Sequence, residues 1–314
     1  MNKATFALGG TVVLWASAFP AIRAGLDGYG ALGLSFLRLA VASAALLAAA
    51  PFLGVRRPRA KDLPLIAVCG LTGMTAYQLL LNWGEVRVPA GTASLLVATA
   101  PVFSAVLAAV FLGERLGLRK IAGSAVALGG SALIALSGGD VGYSTAAWAL
   151  LAAALVQATY HFCSKPLLRK YSGLEVACYA MWTGTLFSLP LAPAALHDLA
   201  SAPPAADAAV LFLGLLPSAL GFVLWGYGVA RNTVTTATAA LYLVPVVALA
   251  VAYVWLGEVP SAAELAGGAV SIGGVALIGL RRSRPKSVKA PFTASDAGKE
   301  SLTAPQPGPG RGAP

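Results

Sequence analysis

The sequence predicts an all-α membrane protein, a polytopic bundle of ten transmembrane helices built as two inverted five-helix repeats. Three observations predict it. The first is composition. The 314 residues are 58% hydrophobic and 11% charged, with a mean hydropathy of +0.77. Soluble domains carry about 25% charged residues, so this chain has too little charge to cover a water-soluble globule. The second is the recurrence of apolar runs long enough to cross a hydrocarbon core, which takes about 20 residues. The third is self-similarity. Residues 101–136 and 245–280 align without a gap at an offset of 144, with 17 of the 36 positions identical. A repeat that long marks a duplicated half-protein rather than a solenoid, and an odd number of spans per half inserts the second half upside down.

The ten spans fall at 4–24, 31–54, 63–84, 90–112, 118–137, 146–166, 175–194, 208–230, 236–256 and 261–281. The first repeat covers 4–137 and the second 146–281. Span one follows Lys3 and ends at Arg23 without a cleavage site, so it reads as retained rather than as a signal peptide. Its Arg23 reads as a boundary anchor able to snorkel. Span two carries Arg38 about two turns from its outer end. Span three holds Tyr77, Gln78, Asn82 and Trp83, with 78 and 82 one turn apart on one face. Spans four and nine contain Pro101 and Pro245, which the offset makes symmetry mates. Spans five and ten carry small residues at helical spacing, Gly123, Ala127 and Gly130 against Gly267, Ser271 and Gly274. Small faces let helices approach closely in lipid, so these two spans should pack together. Span six places Gln157, His161 and Lys165 on one stripe beside Tyr160. Tyr179 and Trp182 lie in span seven, Pro217, Trp225 and Tyr227 in span eight, and Tyr242 in span nine.

Loop charges orient the bundle. The loops on one side hold Arg56, Arg57, Arg59 and Lys61, then Arg115, Arg119 and Lys120, then Lys165, Arg169 and Lys170, then Arg231. The other side holds one clear cation, Arg87, with Asp27, Glu85, Asp140, Asp198, Asp207, Glu258 and Glu264. The excess of Lys and Arg marks the cytoplasmic side, which puts both termini there. After span ten a basic collar runs from Arg281 to Lys289, and residues 282–314 read as a disordered tail rich in Pro, Gly, Ser and Ala. The net charge of +10 is accounted for by these loops, and no basic face or motif points to nucleic acid.

The chain carries no soluble-enzyme constellation, no metal-ligand spacing, no Walker loop and no cofactor motif. Cys69, Cys163 and Cys178 sit singly in apolar runs and read as packing residues. Chemistry therefore has to come from polar and aromatic residues inside the spans, where a bilayer makes them expensive. Trp15, Phe19, Tyr77, Gln78, Gln157, Tyr160, His161 and Tyr242 are the candidate substrate contacts, forming a polar and aromatic cavity at mid-depth. Taken singly, each aromatic is better explained by packing or by an interfacial belt, and it is several at one depth that point to a cavity. Arg38 reads first as a structural anchor or gate and second as a direct contact. Matched prolines in two repeats point to hinges and a midplane site. No Asp or Glu lies in the middle of a span, and His161 is the one deep group able to titrate near neutral pH. A neutral or zwitterionic substrate follows, in place of a cationic drug.

The run Trp15-Ala-Ser-Ala-Phe19-Pro-Ala-Ile-Arg23, the Phe36-Leu-Arg38 of span two and the Leu-Gly-Glu turns ending at Glu114 and Glu258 resemble the drug/metabolite transporter superfamily, EamA type. The resemblance covers residues 4–281, and Ala16 stands where many members carry Gly. It implies ten helices in a basket-like bundle, cytoplasmic termini, and a central cavity lined by spans one, three, four, six, eight and nine. It also implies export of small metabolites such as amino acids across a bacterial inner membrane, similar to the aromatic amino-acid exporters. Trp15, Phe19, Arg38, Glu114 and Glu258 carry the motif, the last two as architecture. The mechanism implied is alternating access, either facilitated or coupled to protons, by a monomer or dimer. A multidrug or nucleotide-sugar-type transporter is the alternative on the same scaffold.

Overall fold

The computed structural model describes residues 3–112, 118–137, 141–231 and 240–279. They form ten helical spans: α1 (Lys3–Leu26), α2 (Ala31–Ala49), α3 (Ala60–Glu85), α4 in two pieces (Ala90–Val97 and Ala100–Leu112), α5 (Leu118–Ser137), α6 (Val141–Leu168), α7 (Gly173–Ser188), α8 (Pro204–Arg231), α9 (Val244–Leu256) and α10 (Ala262–Gly279). No strand occurs among the described residues. Five of the helices, α1, α2, α3, α8 and the Tyr143–Leu168 part of α6, are each long and apolar enough to cross a bilayer alone. Large apolar side chains point outward, among them Phe6, Val110, Leu118 and Val254. In water such a surface would aggregate, whereas lipid solvates it.

Helix ends follow local chemistry. α2 stops at Ala49, short of the predicted 54: Ala50 keeps helical angles as the cap, and Pro51 after it lacks the backbone donor that would carry the helix on. Gly54 then turns the chain at φ 65°. α7 opens on a capping box in which Ser172 and Glu175 satisfy each other's backbone N–H groups. It gives way at Leu189–Leu191 to a tighter turn and a short helix, Ala192–Asp198, a span carrying Pro190 and Pro193. The predicted start of span nine, Glu114, and the tail 282–314 lie outside the described residues.

The two halves, α1–α5 and α6–α10, are inverted repeats. Three helices pack on their own counterparts, α2 on α7, α4 on α9 and α5 on α10. α1 packs on α8 and α9 just as α6 packs on α3 and α4. The α5 and α10 pair is main chain against main chain. A Cβ on Gly130 would stand 2.5 Å from the Gly267 carbonyl oxygen, and one on Gly274 would stand 2.6 Å from the Gly123 oxygen. Ser131 and Ser271 share a hydroxyl hydrogen bond of 3.1 Å across the seam. The expected small-residue pairing is therefore present.

Symmetry also reaches the irregular parts. α3 widens to a π-helix over Gly70–Ala76 and α8 over Gly214–Leu220, the same positions at the offset of 144. The opening glycine of each lets its helix press on a neighbour. A Cβ on Gly70 would meet the Gly184 nitrogen of α7 at 2.7 Å, and one on Gly214 would meet the Arg38 oxygen of α2 at 3.1 Å. α4 breaks at Ala98 and Thr99, while a 3-10 turn over Leu241–Leu243 precedes α9. The resumed helices start at Ala100 and Val244, again 144 apart, with Pro101 and Pro245 in their first turns. Pro lacks the N–H that the preceding turn would need, so the chain is free to bend just before it.

Candidate functional site

A cavity sits at mid-depth between the repeats. With its mouth it holds about 680 Å³ of unfilled space. Its wall comes from α1 (Trp15, Ala18, Phe19), α3 (Tyr77, Gln78, Leu81), α4 (Ser94, Val97, Ala98, Ala100, Pro101), α6 (Gln157, His161), α8 (Pro217, Phe222) and Leu241 with Val244 at the head of α9, and α2 adds Arg38.

The π segment of α8 fixes two of these side chains. Its Pro217 carbonyl accepts a hydrogen bond from Trp15 Nε1 at 3.1 Å. The hydroxyl of Ser218 accepts from Arg38 Nε at 3.3 Å and from Nη2 at 3.2 Å. A π insertion shifts the hydrogen-bond register and frees backbone for such contacts, which is why these segments gather at functional sites. Gly221 leaves room for the indole, since a Cβ there would lie 2.8 Å from Trp15 Nε1. Trp15 in turn packs on Phe222 and Trp225, at ring separations of 5.1 and 5.4 Å. His161 lies 4.6 Å from Trp225 and stacks at 6.5 Å on Trp15, while its Nε2 faces the Gln157 amide nitrogen at 3.4 Å.

Eight of the predicted residues thus share one cavity wall: Trp15, Phe19, Arg38, Tyr77, Gln78, Pro101, Gln157 and His161. Tyr160 does not. It is buried behind the wall, ring against Phe222 at 5.6 Å and against the space Gly73 leaves, where a Cβ would stand 2.4 Å away. Residue 160 is turned about 100° around α6 from His161, which carries its ring toward Gly73 and Phe222 and off the wall. The turn containing Tyr242 heads α9, but its side chain lies outside the described residues. Pro245 is buried and off the wall. Asn82 is also fully buried and spends its amide on the Ser35 hydroxyl at 2.8 Å, tying α3 to α2.

Several wall residues were not foreseen, and the repeat could have found one of them, Phe222, from the predicted Gln78. Phe222, Leu241 and Val244 are the 144-offset partners of Gln78, Val97 and Ala100, and all six line the cavity.

Polar networks close both ends of the bundle. At one end Arg56 makes two hydrogen bonds to Glu175, 2.7 and 3.0 Å, and Asp62 accepts from Lys170 at 2.6 Å and Tyr171 at 2.8 Å. At the other end Arg23 donates to the Glu85 and Val86 carbonyls at 2.5 and 3.3 Å and pairs with Glu258 at 3.8 Å. Arg23 is therefore a staple joining α1, the end of α3 and the turn after α9, not a simple boundary anchor. Near it, Tyr29 donates to Asp207 at 2.5 Å. Burial and that carboxylate push the Tyr29 phenol up to about 12, so it stays a donor. Glu85, read as an end residue, is fully buried, and neither carboxyl oxygen has a hydrogen-bond partner. Among the described residues no three His, Cys, Asp or Glu gather where they could hold a metal.

The chain matches the EamA-like transporter family over residues 2–136 and again over 144–280. It is 67% identical over 281 residues to a "probable terminal-alkyne amino-acid exporter" of Streptantibioticus cattleyicolor, covering 90% of this chain and 95% of that one. It is 28% identical over 278 residues to a "probable amino-acid metabolite efflux pump" of Salmonella typhimurium, covering 84% and 90%. A crystal structure superposes with a TM-score of 0.60 at 23% identity, covering 87% of this chain and 95% of that chain, which speaks to the fold alone. Ten helices in two inverted repeats, a cavity between them and a family match spanning both halves make this chain an integral membrane protein, a transporter and not an enzyme, and a member of the EamA-like family of the drug/metabolite transporter superfamily.

Proposed function

We propose that the protein exports amino acids with apolar side chains across a bacterial inner membrane by alternating access, with both termini cytoplasmic. The observation that carries the substrate class is the cavity: Trp15, Phe19, Tyr77 and Phe222 offer apolar faces while Gln78, Gln157 and His161 offer hydrogen bonds. An amino acid needs both. The relative named for terminal-alkyne amino acids supports a slim, unsaturated side chain as the first to test, and the aromatic lining extends the range to aromatic ones. Orientation is supported by charge, since the end that gathers Arg56 and Lys170 is the cationic one. The breaks ahead of Pro101 and Pro245 supply bends on both sides of the cavity, which rocking of the two halves requires.

Efflux from loaded proteoliposomes tests the reading. Propargylglycine, phenylalanine and a panel of other amino acids should leave faster than from empty-vesicle controls, and no specific flux across the panel would remove it. His161→Ala and Tyr77→Ala should each slow transport roughly two- to tenfold with folded protein unchanged, the worth of one hydrogen bond or ring contact. Two drives fit the site, facilitated efflux and proton exchange through His161. Imposing and then collapsing a pH gradient separates them, because only the second drive makes the rate follow the gradient.

A further inference from the structure

One cation is buried in the cavity wall without an anion. Arg38 is 3% exposed. Its Nε and Nη2 both spend themselves on one neutral hydroxyl, that of Ser218, and Nη1 has no partner. No carboxylate among the described residues forms an ion pair with it, and Glu85 acts on it only through space. Holding a charge out of water costs several kcal/mol unless an opposite charge or a full set of hydrogen bonds compensates. A buried structural charge would be expected to bring its own counter-ion, as the buried Glu175 carboxylate does with the exposed Arg56 in the same molecule.

Other open valences stand in the same wall. Gln78 is fully buried and neither its amide nitrogen nor its oxygen is paired, and the Gln157 oxygen is likewise free. With Arg38 these make two open donors, Arg38 Nη1 and Gln78 Nε2, and two open acceptors, the two amide oxygens. A free α-amino acid presents the complement: a carboxylate that only accepts and an ammonium that only donates.

We propose that Arg38 receives the substrate's carboxylate, and that the Gln78 and Gln157 carbonyl oxygens receive its ammonium. The apolar side chain then lies along Trp15, Phe19 and Tyr77. This assignment rests on the amino-acid reading above and sharpens it, because the zwitterionic head rather than the side chain becomes the feature that all substrates share. Guanidinium is suited to the task, since its planar fork matches a carboxylate and it stays charged when buried.

The test begins with the wild-type protein, so that it does not depend on any variant folding. Proteoliposomes loaded with L-phenylalanine or L-propargylglycine are compared with vesicles loaded with the corresponding carboxamides, with phenethylamine, and with N-acetyl-L-phenylalanine. Loss of the carboxylate should cut efflux roughly 10- to 100-fold, the usual worth of a charge-assisted hydrogen bond, and loss of the ammonium should cut it less, since two neutral oxygens hold it. Equal flux of acid and amide would overturn the assignment while leaving the transport reading intact. No flux of any amino acid would sink both. Arg38→Gln, checked for a monodisperse peak in detergent, should lose the preference for acid over amide. Retention of that preference by the folded variant would overturn the role given to Arg38. Arg38→Lys keeps the charge without the fork and should raise KM more than it lowers kcat.

Discussion

Gly73 and Tyr160 show what a single methyl group decides. The Tyr160 ring fills the space a side chain at position 73 would take, 2.4 Å from an added Cβ. Gly73→Ala should therefore displace a ring that braces Phe222 and His161 behind the cavity. Overpacking of this kind costs about 1–3 kcal/mol, read as a lower melting temperature in detergent, with transport lowered in parallel. An unchanged melt would show that the ring yields freely. Much of the site was legible at this scale because polar groups in lipid are rare enough to stand out, as with Gln78, Gln157 and His161. What could not be read was direction. Asn82 shares a face with Gln78 by spacing, but its amide nitrogen goes to Ser35 and it lies off the cavity wall. Glu85 sits at a helix end, where exposure is the ordinary expectation, and is buried all the same. Neither fact lies in the local sequence, since both depend on which neighbour closes over the residue.

At the scale of the element, spans were readable and their interruptions were not. Hydropathy gives a span its length: the observed ends of α1, α3, α4 and α5 lie within three residues of the predicted ones, α6 and α8 start four or five residues early, and the proline-shortened α2 and α7 stop five or six residues short. The π segments left no comparable trace. Pro217 marks the one in α8, while the matching position in α3 is Gly73, so different residues produce the same geometry. The breaks before Pro101 and Pro245 are better signposted, and they are where function can be probed. Pro101→Ala restores a backbone donor and allows α4 to close its gap at Ala98 and Thr99. We expect folded protein to accumulate normally while efflux slows severalfold, and the double variant with Pro245→Ala to be slower still. Wild-type efflux in the double variant would show that the bends are passive.

For the whole molecule, the seam of α5 and α10 is the part least able to move, since its backbones touch at four glycines. If the halves rock, they should do so about this line. Replacing the three native cysteines and introducing Ser131→Cys with Ser271→Cys puts two thiols where hydroxyls now lie 3.1 Å apart. A disulfide spans Cβ separations of about 3.5–4.5 Å, so oxidation should join the helices, visible as resistance to separation after proteolysis between the halves. Efflux should survive the cross-link. Its loss on oxidation, with recovery on reduction, would mean that the seam slides during the cycle.

The same contact limits how the duplicated halves can diverge. Where one backbone rests on another, a gain of bulk on either helix has no slack to fall into, and glycine has nothing to give up in return. A chimera that joins one half of this protein to the opposite half of a relative with valine at Gly130 or Gly274 should fail to close. Descent by duplication has left two halves that are now inherited as a matched set.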